Sequence, residues 1–113
     1  MQTTQVNLND GYIKVCKTEV IPENSCKIFF LDDKEIVVFK NNGNFFAFDN
    51  NCPHQNSPVL HQGFIEDDHL VCPNHLFMFN LETGKMKTTG LKLRKHSVLL
   101  EDGSIFVKLN SDA

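Results

Sequence analysis

The sequence predicts an all-β protein, and three observations predict it. Apolar residues fall in short runs rich in β-branched and aromatic side chains, turn-forming residues bound those runs, and no stretch sustains a helical period over roughly 10–12 residues. The first element along the chain is the exception: Thr18-Glu19-Val20-Ile21 reads as a short helical stretch, stopped at Pro22 because proline lacks the N–H a helix needs. Ile28-Phe29-Phe30-Leu31, Ile36-Val37-Val38-Phe39 and Phe45-Phe46-Ala47-Phe48 then read as strands. Asn41-Asn42-Gly43-Asn44 separates the second of these from the third, and Glu101-Asp102-Gly103-Ser104 separates Ser97-Val98-Leu99-Leu100 from Ile105-Phe106-Val107. Asn-Gly and Asp-Gly supply the positive φ of tight turns, so both pairs of runs are predicted to form hairpins.

With 113 residues the chain has single-domain length, and residues 1–113 are assigned to one domain. Its 11 Lys and Arg against 14 Asp and Glu give a formal net charge of -3, which argues against a nucleic-acid partner, whose phosphates call for a basic surface. Met1-Gln2-Thr3-Thr4-Gln5 does not open a basic segment followed by an apolar run, and no stretch approaches the roughly 20 apolar residues of a membrane helix. A soluble, cytoplasmic protein with no membrane partner is expected. Charge is uneven, with Asp32-Asp33, Glu35 and Glu66-Asp67-Asp68 acidic and Lys85, Lys87, Lys92, Arg94 and Lys95 basic; these read as solvated turns and strand faces.

Two runs carry the chemistry. Cys52-Pro53-His54 is followed, after residues 55 to 71, by Cys72-Pro73-Asn74-His75. Paired thiolates and imidazoles at C-x-H and C-x-x-H spacing suit a mixed-ligand [2Fe-2S] centre, with two Cys on one iron and two His on the other. Thiolate donates strongly to ferric iron, whereas neutral imidazole donates less and removes negative charge, which raises the reduction potential. Pro53 and Pro73, each directly after a cysteine, stiffen the two turns. Zinc is the rival metal, since two Cys and two His are a common structural zinc set, although zinc fingers usually pair Cys with Cys and His with His. Cys beside His favours metal over disulfides, leaving Cys16 and Cys26 as thiols. His61, His69 and His96 lie outside both runs and are expected at the surface.

These residues resemble a Rieske iron–sulfur domain, whose pattern is C-x-H, a gap of about 15 to 17 residues, then C-x-x-H. The resemblance takes in Pro58, Gly63 and Phe79-Asn80-Leu81-Glu82-Thr83-Gly84. It extends to Lys92 through Leu109, which is similar to the closing hairpin of small Rieske ferredoxins and of nitrite reductase small subunits. It implies an antiparallel β-sandwich base carrying a small two-loop cluster-binding subdomain at about residues 50–84. It further implies that Cys52 and Cys72 bind the inner iron while His54 and His75 bind an outer iron near the surface.

Departures from the family pattern refine that expectation. Respiratory members carry a further cysteine in each loop, joined as a disulfide; here Asn74 and Gln55-Asn56-Ser57 stand instead. Where those members place serine and tyrosine donors to sulfur, this chain has Phe77 and Phe79. Fewer hydrogen bonds leave the reduced cluster less stabilised, so a midpoint of roughly −150 mV rather than roughly +300 mV is expected. Leu76 and Asn56 replace glycines common in the family, and Thr88-Thr89-Gly90 lacks the proline of a third covering loop. Of the apolar residues after His75, Phe77 is read as packing beneath the loop and Leu76 as a candidate docking rim.

The resemblance implies a one-electron carrier between a flavin-dependent reductase and a terminal oxygenase or reductase, monomeric and without catalytic residues of its own. A terminal oxygenase needs a second iron site of two His and a carboxylate, in a domain for which 113 residues leave no room. Two alternatives stand beside it: an accessory subunit of an assimilatory nitrite reductase, and a structural zinc-binding interaction module.

Overall fold

Four tight turns set the strand pairing. Asp32-Asp33, Asn42-Gly43, Asp67-Asp68 and Asp102-Gly103 each place two successive residues at positive φ, from 49° at Asp32 to 79° at Gly43. This is the backbone of the turn whose twist matches a right-handed hairpin, and Asn, Asp and Gly are the residues that tolerate it. The computed structural model describes residues 11–53, 57–73, 77–86 and 89–110. Its strands are Ile13–Lys17 (β1), Cys26–Leu31 (β2), Lys34–Asn41 (β3), Asn44–Asp49 (β4), Phe64–Glu66 (β5), His69–Val71 (β6), Met78–Asn80 (β7), Lys95–Glu101 (β8) and Ser104–Lys108 (β9). The turns join β2 to β3, β3 to β4, β5 to β6 and β8 to β9, all antiparallel. Both predicted hairpins form, and the two Asp-Asp pairs, read from the sequence as solvated acidic turns, close two more.

The helical stretch expected at Thr18–Ile21 is a single 3-10 turn over Thr18–Val20, and a second such turn spans Leu60–Gln62. Two sheets carry the rest. One has six strands in the order β1-β9-β8-β4-β3-β2, and the other three in the order β5-β6-β7. Strands β4 and β8 meet through only two residue pairs, Ala47 with His96 and Phe48 with Lys95. The large sheet folds over at that short seam, bringing Ile105 and Val107 of β9 against Ile36, Val38 and Ala47 in one apolar layer. This is the antiparallel sandwich base.

The opposite face of the same central strands builds a second layer. Val37, Phe39, Phe46 and Phe48 pack against Leu70 and Phe79 of the three-stranded sheet, together with Leu60, Leu81, Leu93, Cys52 and Cys72. Strand β3 therefore buries Ile36, Val37, Val38 and Phe39 on both faces, which is why its sequence is an unbroken apolar run and not an alternating one. The smaller sheet was not separately legible: three-residue strands show no period.

Candidate metal centre

Each cysteine of the two motif runs opens a loop with the same neck. Cys52 follows β4, and its N–H donates to the carbonyl of Ser57 at 2.9 Å; Cys72 follows β6, and its N–H donates to the carbonyl of Phe77 at 2.8 Å. Both closures span five residues along the chain, and each loop has proline directly after its cysteine. The second neck continues the sheet ladder, since Val71 pairs with Met78 across β6 and β7. The first is an isolated bridge between Cys52 and Ser57. Strand exits thus aim two cysteines from different sheets at one point.

They meet there. Cys52 and Cys72 are fully buried, and their sulfurs lie 3.2 Å apart without forming a disulfide. Two metal–sulfur bonds of about 2.3 Å at a tetrahedral angle would separate the sulfurs by roughly 3.7 Å, so a small adjustment lets both hold one metal ion. Val37, Phe48, Leu60, Leu70 and Phe79 belong to the same apolar cluster, and Phe77 packs against it from the loop. Such a shell excludes water and lowers the local dielectric, conditions that tune a metal–thiolate centre. Phe77 and Phe79 present carbon at these positions, and Phe79 is wholly buried. The reading of Phe77 as packing beneath the loop agrees with its place in this cluster.

His54 and His75 fall in sequence within the two closed loops and lie outside the described residues, as do Asn56, Asn74, Leu76 and Thr88. Among the described residues no group of three His, Cys, Asp or Glu side chains gathers that could hold a metal ion. Cys16 and Cys26 stand apart from the pair. Burial pushes both thiols above their ordinary range, opposed at Cys16 by Lys27, so both stay protonated near neutral pH.

The three other histidines differ from expectation in one case. His69 is partly exposed, with Nδ1 2.7 Å from the carbonyl oxygen of Asp67. His61 is half-buried and contacts Asn50 through Nδ1. His96, expected at the surface, is instead buried, at 1% exposure. Its Nε2 lies 2.7 Å from Asp49 Oδ1, and its Nδ1 accepts from the Asn110 N–H at 3.0 Å, so both ring nitrogens are satisfied inside the seam between β4 and β8. The polar neighbours Lys95 and Ser97 concealed this inward position, and its partners Asp49 and Asn110, 47 and 14 residues away in sequence, left no local signal.

Comparison with known proteins places this geometry. The Rieske [2Fe-2S] domain model matches residues 11–97. A 3-phenylpropionate/cinnamic acid dioxygenase ferredoxin subunit from Photorhabdus laumondii is 32% identical over 102 residues, covering 87% of this chain and 94% of that one. The solved ferredoxin of carbazole 1,9a-dioxygenase from Nocardioides aromaticivorans matches with TM-score 0.78 at 21% identity, covering 88% of this chain and 98% of that one. A putative NADH-dependent nitrite reductase small subunit from Mycobacterium tuberculosis matches with TM-score 0.79 at 18% identity, covering 85% and 92%. At such identities the two solved structures establish a shared fold.

Proposed function

This chain belongs to the Rieske [2Fe-2S] domain family, and on that premise we propose that it is a one-electron carrier holding one Rieske-type cluster and serving an oxygenase. The observation that carries the reading is the pair of buried cysteine sulfurs, 3.2 Å apart at the mouths of two matched loops. When bound, the cluster would accept and release single electrons. Cys52 and Cys72 would hold the inner iron, and His54 and His75 the outer one. The segments 54–56 and 74–76 contain no other residue of ligand chemistry, which supports that assignment. Zinc gives way to iron–sulfur on family membership.

The chain's own residues do the rest. The two loop necks hold the cysteines, the shell of Phe77, Phe79 and Leu70 keeps water from the sulfurs, and the phenylalanine side chains have no hydroxyl to stabilise added negative charge. A midpoint of roughly −150 mV follows, at the low end of the Rieske span. A flavin-dependent reductase is the proposed electron source and a terminal oxygenase the acceptor. The protein acts as a cytoplasmic monomer with no substrate chemistry of its own. Residues 1–113 form one domain whose cluster-binding part is about 50–84. The named function of the dioxygenase ferredoxin relative favours a carrier over a nitrite reductase accessory subunit, whose likeness is one of fold.

Electron paramagnetic resonance of the anaerobically purified, dithionite-reduced protein tests this. A rhombic signal from about one cluster per chain, titrating near −150 mV, is expected. Stoichiometric zinc with no iron after anaerobic expression would overturn the cofactor, and a midpoint well above 0 mV would overturn the low-potential assignment.

A further inference from the structure

Asn50 is a buried polar side chain that the carrier reading leaves without a task. It is 1% exposed, one residue past the end of β4 and two before Cys52. Its amide nitrogen donates to Glu35 Oε2 at 2.7 Å and to His61 Nδ1 at 2.9 Å, with the Pro58 carbonyl a longer acceptor at 3.4 Å. Its amide oxygen accepts from the His61 backbone N–H at 2.7 Å. Because an amide nitrogen only donates and a carboxylate only accepts, this pattern fixes both the orientation of the carboxamide and the His61 tautomer. Nδ1 is bare, and the neutral ring carries its proton on Nε2.

The partners come from separate parts of the fold. Glu35 lies on β3 of the base, and its carbonyl also accepts from the Asn50 N–H at 2.8 Å. Pro58 and His61 lie on the returning side of the first loop, the latter in the 3-10 turn Leu60–Gln62. One carboxamide therefore ties the departing strand, the returning loop and a base strand together, directly below the neck that Cys52 makes with Ser57. Filling this space would need only an apolar side chain; a fully satisfied carboxamide additionally fixes direction.

We infer that Asn50 is a positioning residue: by fastening both ends of residues 50–61 to Glu35 and His61, it sets where Cys52 presents its sulfur to the cluster. The inference rests on the carrier reading, and the wild-type spectrum separates the two, since absence of a rhombic signal there defeats that reading itself. With that signal in hand, N50D keeps the side chain's shape but turns its donors into an oxygen facing the Glu35 carboxylate. Iron release about tenfold faster than wild type is expected, as for other groups that orient metal ligands, together with altered g-values and a shifted midpoint. E35Q/N50D exchanges donor and acceptor, letting an amide at 35 donate to the carboxylate at 50, and is expected to return iron release to within about twofold of wild type. Should N50D not fold, H61F, which removes the ring nitrogens and with them the Nδ1 acceptor while keeping the backbone N–H, takes its place with the same expected direction. Wild-type g-values, midpoint and iron release in the single variant, whatever its melting temperature, would overturn the inference, as would a folded double variant that rescues none of them.

Discussion

The six-stranded base and the three-stranded sheet beside it are held together by different means. In the base, β3 buries four consecutive side chains, Ile36 through Phe39, with apolar layers on both its faces, and β9 buries Ser104 through Val107. Strands β5, β6 and β7 have three residues each; β5 buries none of them, β6 buries Leu70 and Val71, and β7 buries Phe79. Three buried side chains do not give this sheet the apolar face that a three-stranded sheet needs to stand alone in water. It leans on Val37, Phe39, Phe46 and Phe48 and on the buried cysteines at the same interface. The lesson is a division of labour: apolar burial secures the base, while the smaller sheet depends on packing against the base and, under the proposed function, on the cluster that Cys72 would help to hold.

Removing a proposed cluster ligand should show the division most sharply. C72S is expected to abolish visible absorbance and the reduced-state resonance signal. Amide exchange over residues 64–80 should then accelerate by an order of magnitude or more, with β3 and β4 keeping their protection. Equal loss of protection in β3 would mean that the two regions fold as one unit and that the contrast is false.

A cut through the shared layer should instead be felt everywhere. Phe48 is fully buried, and F48A removes a ring that both regions pack against. A loss of about 3–5 kcal/mol is expected in urea unfolding, with both sheets losing protection together. The G63A change is smaller and local. A Cβ at Gly63 would sit 2.2 Å from the Val71 carbonyl oxygen, forcing the backbones at the start of β5 and the end of β6 apart. A cost of about 1–3 kcal/mol is expected, confined to exchange in β5 and β6. Spread of that effect into β8 and β9 would count against the division.

What could be read beforehand follows the same line. The base strands showed themselves because each is a run of four or so apolar residues next to a residue pair that tolerates positive φ. Cys52 and Cys72 showed themselves because ligand chemistry at fixed spacing is local in sequence. Strand β1 did not, since Ile13–Lys17 alternates weakly and gains its place by pairing with β9. Neither Asn50 nor His96 could be read, because a buried polar residue is explained by its partners. Those partners, Glu35 with His61 and Asp49 with the Asn110 amide, are brought close only by the folded sheets.

The smallest effects compare one turn in two settings. Asp33 and Asp68 both occupy the second central position of an Asp-Asp turn, at φ of 65° and 61°, one in the base and one in the smaller sheet. Glycine relieves a left-handed strain of roughly 1–2 kcal/mol, less for Asp than for most residues, and returns about 0.5–1 kcal/mol of that as unfolded-chain entropy. D33G should therefore gain at most about 1 kcal/mol in urea unfolding. Asp68 differs in one respect: its Oδ1 accepts from Asn42 Nδ2 at 3.4 Å, a contact between the smaller sheet and the β3–β4 turn of the base. D68G loses that contact while relieving the same strain, so its gain should be smaller than that of D33G by what the contact contributes. Equal gains would show that this polar contact contributes nothing measurable, leaving the apolar layer and the cysteines as what join the two regions.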